Sequence, residues 1–283
     1  MEGAAEIPSG ILEIVLDIGR IASAAGTITD RATALITPLR RIVPLHGVMI
    51  ALAGAEPHRY VPVLAEGVDQ RLVAYVSTAD AAACAARIGI TTPGRPVRTR
   101  DWLVRPDQVR PWVEWCVPAG VAEALTVSLT VGDGRCVGLL ALLLAADGHP
   151  TVAAVDLIGR LASTIANAVD PLRAIAATAG IVHDARAGVL LTRSSGTLPL
   201  PGLPDHELLH PGAPVLRAAA DRLAGGPAQV SFLYPLQRCD GGEGHVRVTA
   251  LTCAPQRPYH LATVVLLSRP GELSGLTRRE LEI

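Results

Sequence analysis

Aromatic residues are scarce in this chain, with one Phe, three Trp and four Tyr among 283 residues. A hydrophobic core must therefore be built mainly from aliphatic side chains, and apolar residues, at 49% of the chain, are plentiful enough to build one. Lysine is absent, so all 25 basic side chains are Arg, and they nearly balance the 26 acidic ones. The resulting net charge of −1 lacks the positive excess that is typical of nucleic-acid binders.

Long apolar runs and paired cysteines are also missing. The longest apolar run, residues 137–146, is about half the ~20 residues that a membrane-spanning helix needs. The N-terminus lacks the basic-then-apolar pattern of a signal peptide. The cysteines are odd in number and have no CxxC spacing, which argues against a disulfide framework or a zinc knuckle: Cys84, Cys116, Cys136, Cys239 and Cys253. We therefore expect a cytoplasmic protein with no membrane contact, metal site or cofactor.

Hydrophobic periodicity predicts an α+β protein of two domains, each an antiparallel sheet with packed helices. Residues 9–170 alternate helices and strands, and Gly132-Asp133-Gly134 joins two apolar strands with a strong hairpin signal. Residues 178–269 start again with a strand, followed by a helix and three closing strands. The apolar pattern of residues 151–180 predicts one long helix that joins the two domains.

Three stretches resemble known families. Residues 120–168, with a strand, a DG hairpin, a strand that starts near glycine and a closing helix, resemble the second half of a GAF domain. Residues 181–269, with AGVLLTRSSGTL near their start and three closing strands, resemble a PAS-type domain. The segment Leu276-Thr277-Arg278-Arg279-Glu280-Leu281-Glu282-Ile283 is similar to the opening of a LuxR-type helix-turn-helix domain.

These resemblances imply the sensor region of a bacterial transcription regulator rather than an enzyme. Thr277 and Glu280 have the spacing of a capping box, so a helix begins close to the last residue. We therefore expect residues 270–283 to be a linker and the truncated start of the LuxR-type domain. Contact with DNA would then occur only through the helix-turn-helix domain that this chain lacks.

The few large rings are gathered in one part of the sequence, where they suggest a pocket for a small molecule. Five of the eight aromatic residues lie between residues 60 and 115, and they are interleaved with Arg95, Arg98, Arg100, Arg105 and Arg110. Aromatic rings form rigid apolar walls, and Arg offers a planar fork for a carboxylate or a phosphate. The GAF resemblance implies that this region covers a ligand pocket. The candidate ligand-binding residues are Tyr60, Tyr75, Arg98, Trp102, Trp112 and Trp115.

The ligand expected there is small and apolar or aromatic, with an acidic group as an option. The alternative is that the tryptophans fill the core and leave no cavity, in which case the chain is a ligand-free dimerisation scaffold. A third interpretation is a zinc hydrolase, because His206-Glu207-Leu208-Leu209-His210 matches HExxH. Pro204 and Pro211 bracket that motif and leave barely two helical turns, which favours a short structural helix.

Two helical stripes predict a parallel homodimer. Apolar residues in the long helix recur at alternating spacings of three and four, the pattern of a coiled-coil seam. The first helix offers a second stripe of the same kind. The predicted interface comprises Ile11, Val15, Ile18, Val155, Ile158, Ala162, Ile165, Val169 and Leu172. The alternative is that both stripes are buried within one subunit.

Overall fold

The protein was analysed as a computed structural model, which describes residues 9–54, 59–90, 92–145, 148–173, 175, 184–193, 196–237, 243–253 and 261–270. The chain divides into two compact units at Asp170. Each unit contains one five-stranded sheet in which all neighbouring strands are antiparallel, together with packed helices. This arrangement confirms the predicted α+β class. The LuxR-like segment, residues 276–283, lies outside the described residues.

The first unit places helices before, between and after its strands. Its elements are α1 (Ser9–Ser23), α2 (Ile28–Ala34), α3 (Ile36–Ile42), β1 (Leu45–Ala53), β2 (Tyr60–Glu66), α4 (Gln70–Val76), α5 (Ala79–Ile88), β3 (Val97–Arg98), β4 (Glu123–Thr130), β5 (Cys136–Leu144) and α6 (Val152–Val169). The strand order across the sheet is β2-β1-β5-β4-β3. The first and last long strands of the unit, β1 and β5, are therefore neighbours at its centre.

The β4–β5 hairpin forms where Asp-Gly predicted it. Gly134 adopts a positive φ of 84°, and the Asp133 carboxylate accepts a hydrogen bond of 2.9 Å from the amide of Arg135. Gly138 follows on β5, where an added Cβ would lie 2.2 Å from the carbonyl oxygen of Ala51. The central pair β1–β5 thus approaches more closely than any side chain at residue 138 would permit.

Both faces of this sheet are covered. On one face, fully buried residues such as Ile50, Leu125 and Leu140 pack against α1, α2 and α6 in the largest hydrophobic cluster. On the opposite face, Met49 and Ala141 belong to a second apolar layer. Strands buried on both faces show near-continuous apolar runs instead of alternation.

Helix α6 ends at Val169 and residues 171–173 are helical again, so the single helix predicted through residues 151–180 is interrupted at Asp170. Asp170 leaves the helical region at φ −67° and ψ 117°, and Pro171 follows it. Proline lacks an amide hydrogen and disfavours the α conformation in the residue before it, so the break has a local cause. Arg135 donates to both carboxylate oxygens of Asp170, at 3.1 and 2.7 Å, and Arg31 donates to the carbonyl of Ala168. The end of α6 is therefore attached to the hairpin and to α2.

Most of the predicted dimer seam is buried inside one chain, which corrects its assignment to an interface. The residues that are at most 3% exposed are Ile18, Ile158, Ala162, Ile165, Val169 and Leu172. The α1 and α6 members pack on the sheet of the first unit, because its apolar face needs a helical cover. Leu172 belongs to a core cluster of the second unit. Only Ile11, Val15 and Val155 of the predicted interface remain partly or largely accessible.

The second unit contains β6 (Ala185–Thr192), β7 (Thr197–Pro199), α7 (Pro214–Leu223), β8 (Gln229–Gln237), β9 (Glu243–Thr252) and β10 (Leu261–Ser268). Its strand order is β7-β6-β10-β9-β8. Helix α7 packs Val215 and Ala219 against Val248 and Val265 of the sheet. Counted within each unit, the strands of both sheets stand in the order second, first, fifth, fourth, third, although no sequence repeat relates the two halves.

One described helix, α6, is long and apolar enough to cross a membrane by length and composition. Eight of its side chains are buried in the structure, where they belong to the core of the first unit.

Candidate ligand-binding site

The sheet face that α1 and α6 leave free is covered by α4, α5 and the irregular segment of residues 89–122. This segment contains two short 3-10 turns and a π-helical turn, Trp112–Cys116. In the π-helical turn the amide of Val117 donates to the carbonyl of Trp112 at 3.0 Å. This wide turn buries both Trp112 and Cys116 on the sheet side. Short π-helical segments are rare and occur often at functional sites.

A cavity of about 120 Å³ lies between the sheet and this cover. Its sheet side is formed by Met49 of β1, by Ala124 and Thr126 of β4, and by alternate residues of β5: Leu139, Ala141 and Leu143. Helices α4 and α5 contribute Leu72, Val76, Ala81, Cys84, Ala85 and Ile88. Among the described residues no charged side chain lines it, so the cavity wall is apolar apart from a few hydroxyl, thiol and indole groups.

Four of the six candidate ligand-binding residues line this cavity: Tyr60, Tyr75, Trp102 and Trp112. The rings of Trp102 and Trp112 meet edge to face, with centroids 5.4 Å apart and planes at 81°. Trp115 does not line the cavity; its ring packs edge to face on Tyr75 at 5.4 Å. The structure therefore brings four of the candidate rings together at one cavity, with Trp115 behind the wall, and their role in ligand binding stays a prediction.

Arg98 lies outside the cavity, and the structure corrects its assignment to the site. Its guanidinium forms hydrogen bonds of 2.6 and 3.2 Å to the carboxylate of Asp101. The three following arginines are also ion-paired: Arg100 with Glu123, Arg105 with Asp107 and Arg110 with Glu114. The carboxylate partners of these four arginines lie either two to four residues away in the sequence or on β4. The Arg-rich composition of the segment therefore brings no positive charge into the cavity.

Two tyrosines and one cysteine of the wall are held neutral by a raised pKa. Burial raises the pKa of Tyr75 to about 12, and its hydroxyl donates to the carbonyl of Asp80 at 3.1 Å. Burial also raises the pKa of Tyr60, and it raises the pKa of the Cys116 thiol to about 12. A wall that is neutral at physiological pH favours a neutral guest, because a buried charge without a partner is costly.

Among the described residues of the site, one fully buried side-chain atom has no hydrogen-bond partner. The indole nitrogen of Trp102 is buried, and no described residue accepts a hydrogen bond from it. Buried indole N–H groups normally find an acceptor, and leaving one unpaired costs about 1–3 kcal/mol. An unpaired donor at the wall of a cavity is a natural partner for a hydrogen-bond acceptor on a guest.

Most of the aliphatic wall could not be predicted from the sequence. Met49, Ala141 and Leu143 lie in strands that are apolar on both faces, so no alternation marks which side chains face the cavity. Helix α5 carries the usable signal: Ala81, Ala85 and Ile88 recur at spacings of four and three and are all buried. Cys84 lies on the same helix and Cys116 in the π-helical turn, and both thiols line the cavity.

The HExxH residues do not assemble a metal site. Glu207–Leu209 form a single 3-10 turn, so the two histidines do not share the face of an α-helix. His206 uses its Nδ1 to accept from the amide of Leu208 at 3.2 Å, and His210 contacts Asp205 at 3.2 Å. Among the described residues, no group of three His, Cys, Asp or Glu side chains could hold a metal ion.

Two GAF domains and a bacteriophytochrome are among the solved structures that are similar to this chain. No protein-family model and no curated protein matches the sequence. The GAF domain of a phosphoenolpyruvate-protein phosphotransferase from Coxiella burnetii is similar to 59% of this chain and is covered over 97% of its own length, at 15% identity and a TM-score of 0.43. The bacteriophytochrome RpBphP3 from R. palustris is similar over 94% of this chain and 65% of its own, at 10% identity and a TM-score of 0.44.

A GAF domain of a putative sensor histidine kinase from Pseudomonas syringae pv. tomato is similar over 61% of this chain and 94% of its own, at 15% identity and a TM-score of 0.42. All these identities and scores are low, so we base the function on the cavity itself. Fold and site together define an α+β protein whose first unit holds an apolar, partly open cavity between its sheet and a helical cover.

Proposed function

We propose that this chain is the cytoplasmic, small-molecule-sensing region of a bacterial transcription regulator, with a GAF-like unit that binds the ligand and a PAS-like unit that follows it. The chain carries out no chemistry of its own. A ligand in the first unit favours one arrangement of a homodimer, and the second unit passes that arrangement to a DNA-binding domain. The regulator part of this proposal depends on the similarity of residues 276–283 to the start of a LuxR-type domain.

The cavity is the observation that carries the sensing function. A chain with eight aromatic residues places four of them around one apolar, partly open cavity, beside a buried indole donor that has no partner among the described residues. Largely preformed apolar cavities with a few polar groups are the usual form of small-molecule sites. The alternative of a ligand-free scaffold requires the tryptophans to fill this space. The presence of a cavity argues against that alternative. The hydrolase alternative requires an α-helical pair of histidines, which the described structure lacks.

The dimer is supported by one exposed stripe. Leu12, Val15 and Leu16 of α1 are 52%, 38% and 57% exposed, on the helix side opposite Ile14 and Ile18, which enter the core. A helix that is apolar on two faces has two partners, and a second copy of the chain is the partner proposed for the outer face.

The sensing function is tested by filling the cavity from one helix. Ala85→Leu on α5 adds bulk to the cavity wall, whereas Ala83→Leu adds the same bulk at an exposed position of the same helix. We expect toluene, as a small apolar probe, to raise the melting temperature of the natural chain and of Ala83→Leu but not of Ala85→Leu. Native mass spectrometry of the purified chain would also reveal a retained molecule.

The control for folding is the melting transition without toluene, which both variants must show. Toluene binding that is equal in Ala85→Leu and Ala83→Leu would place the probe elsewhere and refute the assignment of the cavity as the sensing site.

A further inference from the structure

The cavity, which is partly open to solvent, offers a guest about the volume of one ring. At about 120 Å³ it is slightly smaller than an engineered apolar cavity of about 150 Å³ that binds benzene. A nucleotide, a fused-ring cofactor or a long acyl chain exceeds this volume. A six-membered ring with one small substituent fits this volume.

The charges around the cavity exclude an acid, although the sequence left that option open. Four arginines of the covering segment are held by carboxylates on the outside: Arg98, Arg100, Arg105 and Arg110. A carboxylate guest would therefore lose its hydration and gain no counter-charge. In an apolar site the desolvation penalty of such an ion amounts to several kcal/mol. The guest is therefore neutral.

The chemistry of the wall favours an aromatic ring. Three sulfur atoms line the cavity, those of Met49, Cys84 and Cys116, and sulfur makes favourable contacts with ring edges. Trp102 and Trp112 meet at 81°, so they present a ring face and a ring edge rather than one flat surface. Aromatic pairs prefer edge-to-face or offset geometry, which two perpendicular rings can offer to a third.

The indole N–H of Trp102 indicates which functional group an aromatic guest should carry. Trp102 lines the cavity and its buried Nε1 has no acceptor among the described residues, whereas the hydroxyl of Tyr75 is already engaged by Asp80. Indole nitrogen donates and cannot accept, so it selects for an acceptor on the guest.

We infer that the cavity binds a neutral, single-ring aromatic molecule whose ether or carbonyl oxygen accepts a hydrogen bond from the indole N–H of Trp102. This inference rests on the proposed sensing function and specifies the chemical class of its ligand. A net hydrogen bond contributes about 0.5–1.5 kcal/mol, so the oxygen should improve affinity by about threefold to tenfold over a guest of the same shape without it.

Three probes of similar size test the inference on the full chain by calorimetric titration: methoxybenzene (ring with an ether oxygen), ethylbenzene (the same outline without an acceptor) and benzoate (a charged ring). We expect methoxybenzene to bind about threefold to tenfold more tightly than ethylbenzene, and benzoate to bind more weakly than either.

Trp102→Phe removes the donor and keeps an aromatic ring, and Trp115→Phe is the matched control, because Trp115 packs on Tyr75 behind the wall. The preference for methoxybenzene over ethylbenzene should disappear in Trp102→Phe and persist in Trp115→Phe. The affinity for ethylbenzene reports whether Trp102→Phe keeps its cavity.

The outcomes separate the two proposals. Equal binding of the two neutral probes, or a preference that survives Trp102→Phe, would overturn the ligand class and leave the sensing site standing. Tightest binding of benzoate would overturn the ligand class as well. If none of the three probes binds, both the ligand class and the sensing function of the cavity are wrong.

Discussion

At the scale of single residues, Arg98 and Trp102 are both conspicuous in the sequence, but only Trp102 lines the cavity. Arg98 belongs to a run of arginines that attracts attention, but each of Arg98, Arg100, Arg105 and Arg110 is neutralised by a carboxylate. Trp102 is one of only three tryptophans, and its buried nitrogen has no hydrogen-bond partner among the described residues. An arginine that is ion-paired within the chain gives little information about a ligand. A buried hydrogen-bond donor without an acceptor does give such information, because buried donors are normally paired.

Cys116 supplies a pH-dependent prediction at this scale. Burial raises the pKa of its thiol from 9.0 to about 12 in the folded chain, so the unfolded chain loses the proton at lower pH. The unfolded state therefore binds fewer protons above about pH 9, and stability falls as the pH rises. We expect this thiol to cost the folded state about 1 kcal/mol at about pH 10.

The measurement is the free energy of unfolding in urea at about pH 7.5 and about pH 10. Cys116→Ala should lose about 1 kcal/mol less than the natural chain over this interval, although it starts from a lower stability. An equal loss in both proteins would show that the thiol ionises alike in the folded and unfolded states.

At the scale of elements, α1 shows why a helical stripe does not define its partner. The spacing of apolar residues on α1 is correct for an amphipathic helix, but Ile14, Ile18 and Ala22 pack inward while Leu12 and Leu16 remain exposed. The exposed stripe of α1 lies on a different side of the helix from the predicted interface stripe. The reason is that part of the predicted stripe packs on the sheet. Helix α6 is affected in the same way, with Ile158 and Ile165 in the core.

The charges beside the exposed stripe favour a second copy. Arg41 of α3 forms ion pairs with Glu13 at 2.8 Å and with Asp17 at 3.0 Å, on the same helix as the exposed leucines. The acidic side chains of α1 are thus compensated within the chain, so two copies can approach without strong repulsion.

Leu16→Glu tests this interface. A carboxylate in the middle of an apolar dimer contact would be buried without a partner, so we expect this variant to be monomeric. Leu103→Glu is the matched control, because Leu103 is 77% exposed in the covering segment of the cavity and should leave the dimer intact. Light scattering during size-exclusion chromatography distinguishes the two states. A monomeric natural chain, or dimeric Leu16→Glu, would argue against the stripe as the interface.

At the scale of the whole molecule, the chain consists of two units with separate cores. The core of the first unit gathers α1, α2 and α6 on its sheet, and that of the second unit gathers α7 on its own. The proposed functions are divided in the same way, with ligand binding in the first unit and transmission in the second. The single-helix connection predicted between them is interrupted at Asp170.

Val265→Ala tests this division. Val265 is fully buried in the core of the second unit, and removal of two methyl groups there should lower the stability of that unit by about 1–3 kcal/mol. We expect the affinity of the full chain for methoxybenzene to be unchanged at 25 °C, since every described residue of the cavity wall belongs to the first unit. A clear fall in affinity would show that the first unit depends on the second.

Several features follow from local sequence alone. The β4–β5 hairpin forms because Asp133-Gly134 favours its turn, and α6 is interrupted because Pro171 disfavours the helical conformation of Asp170 before it. The α+β class follows from the periodicity of apolar residues, and the scarcity of aromatic rings makes residues 60–115 conspicuous in the sequence itself. These are short-range properties of backbone chemistry and composition.

Only the tertiary structure decided which faces of the strands and helices are covered, and which polar atoms lack a hydrogen-bond partner. Strands that are apolar on both sides do not reveal which side faces a cavity, and a helical stripe packs against whichever apolar surface the chain brings to it. The partners of the arginines and the lack of a partner for the Trp102 nitrogen depend on contacts between distant or looped segments. Such contacts arise from packing between segments that the local sequence does not bring together. The sequence placed the rings near one another along the chain, and the fold determined that they line a neutral cavity.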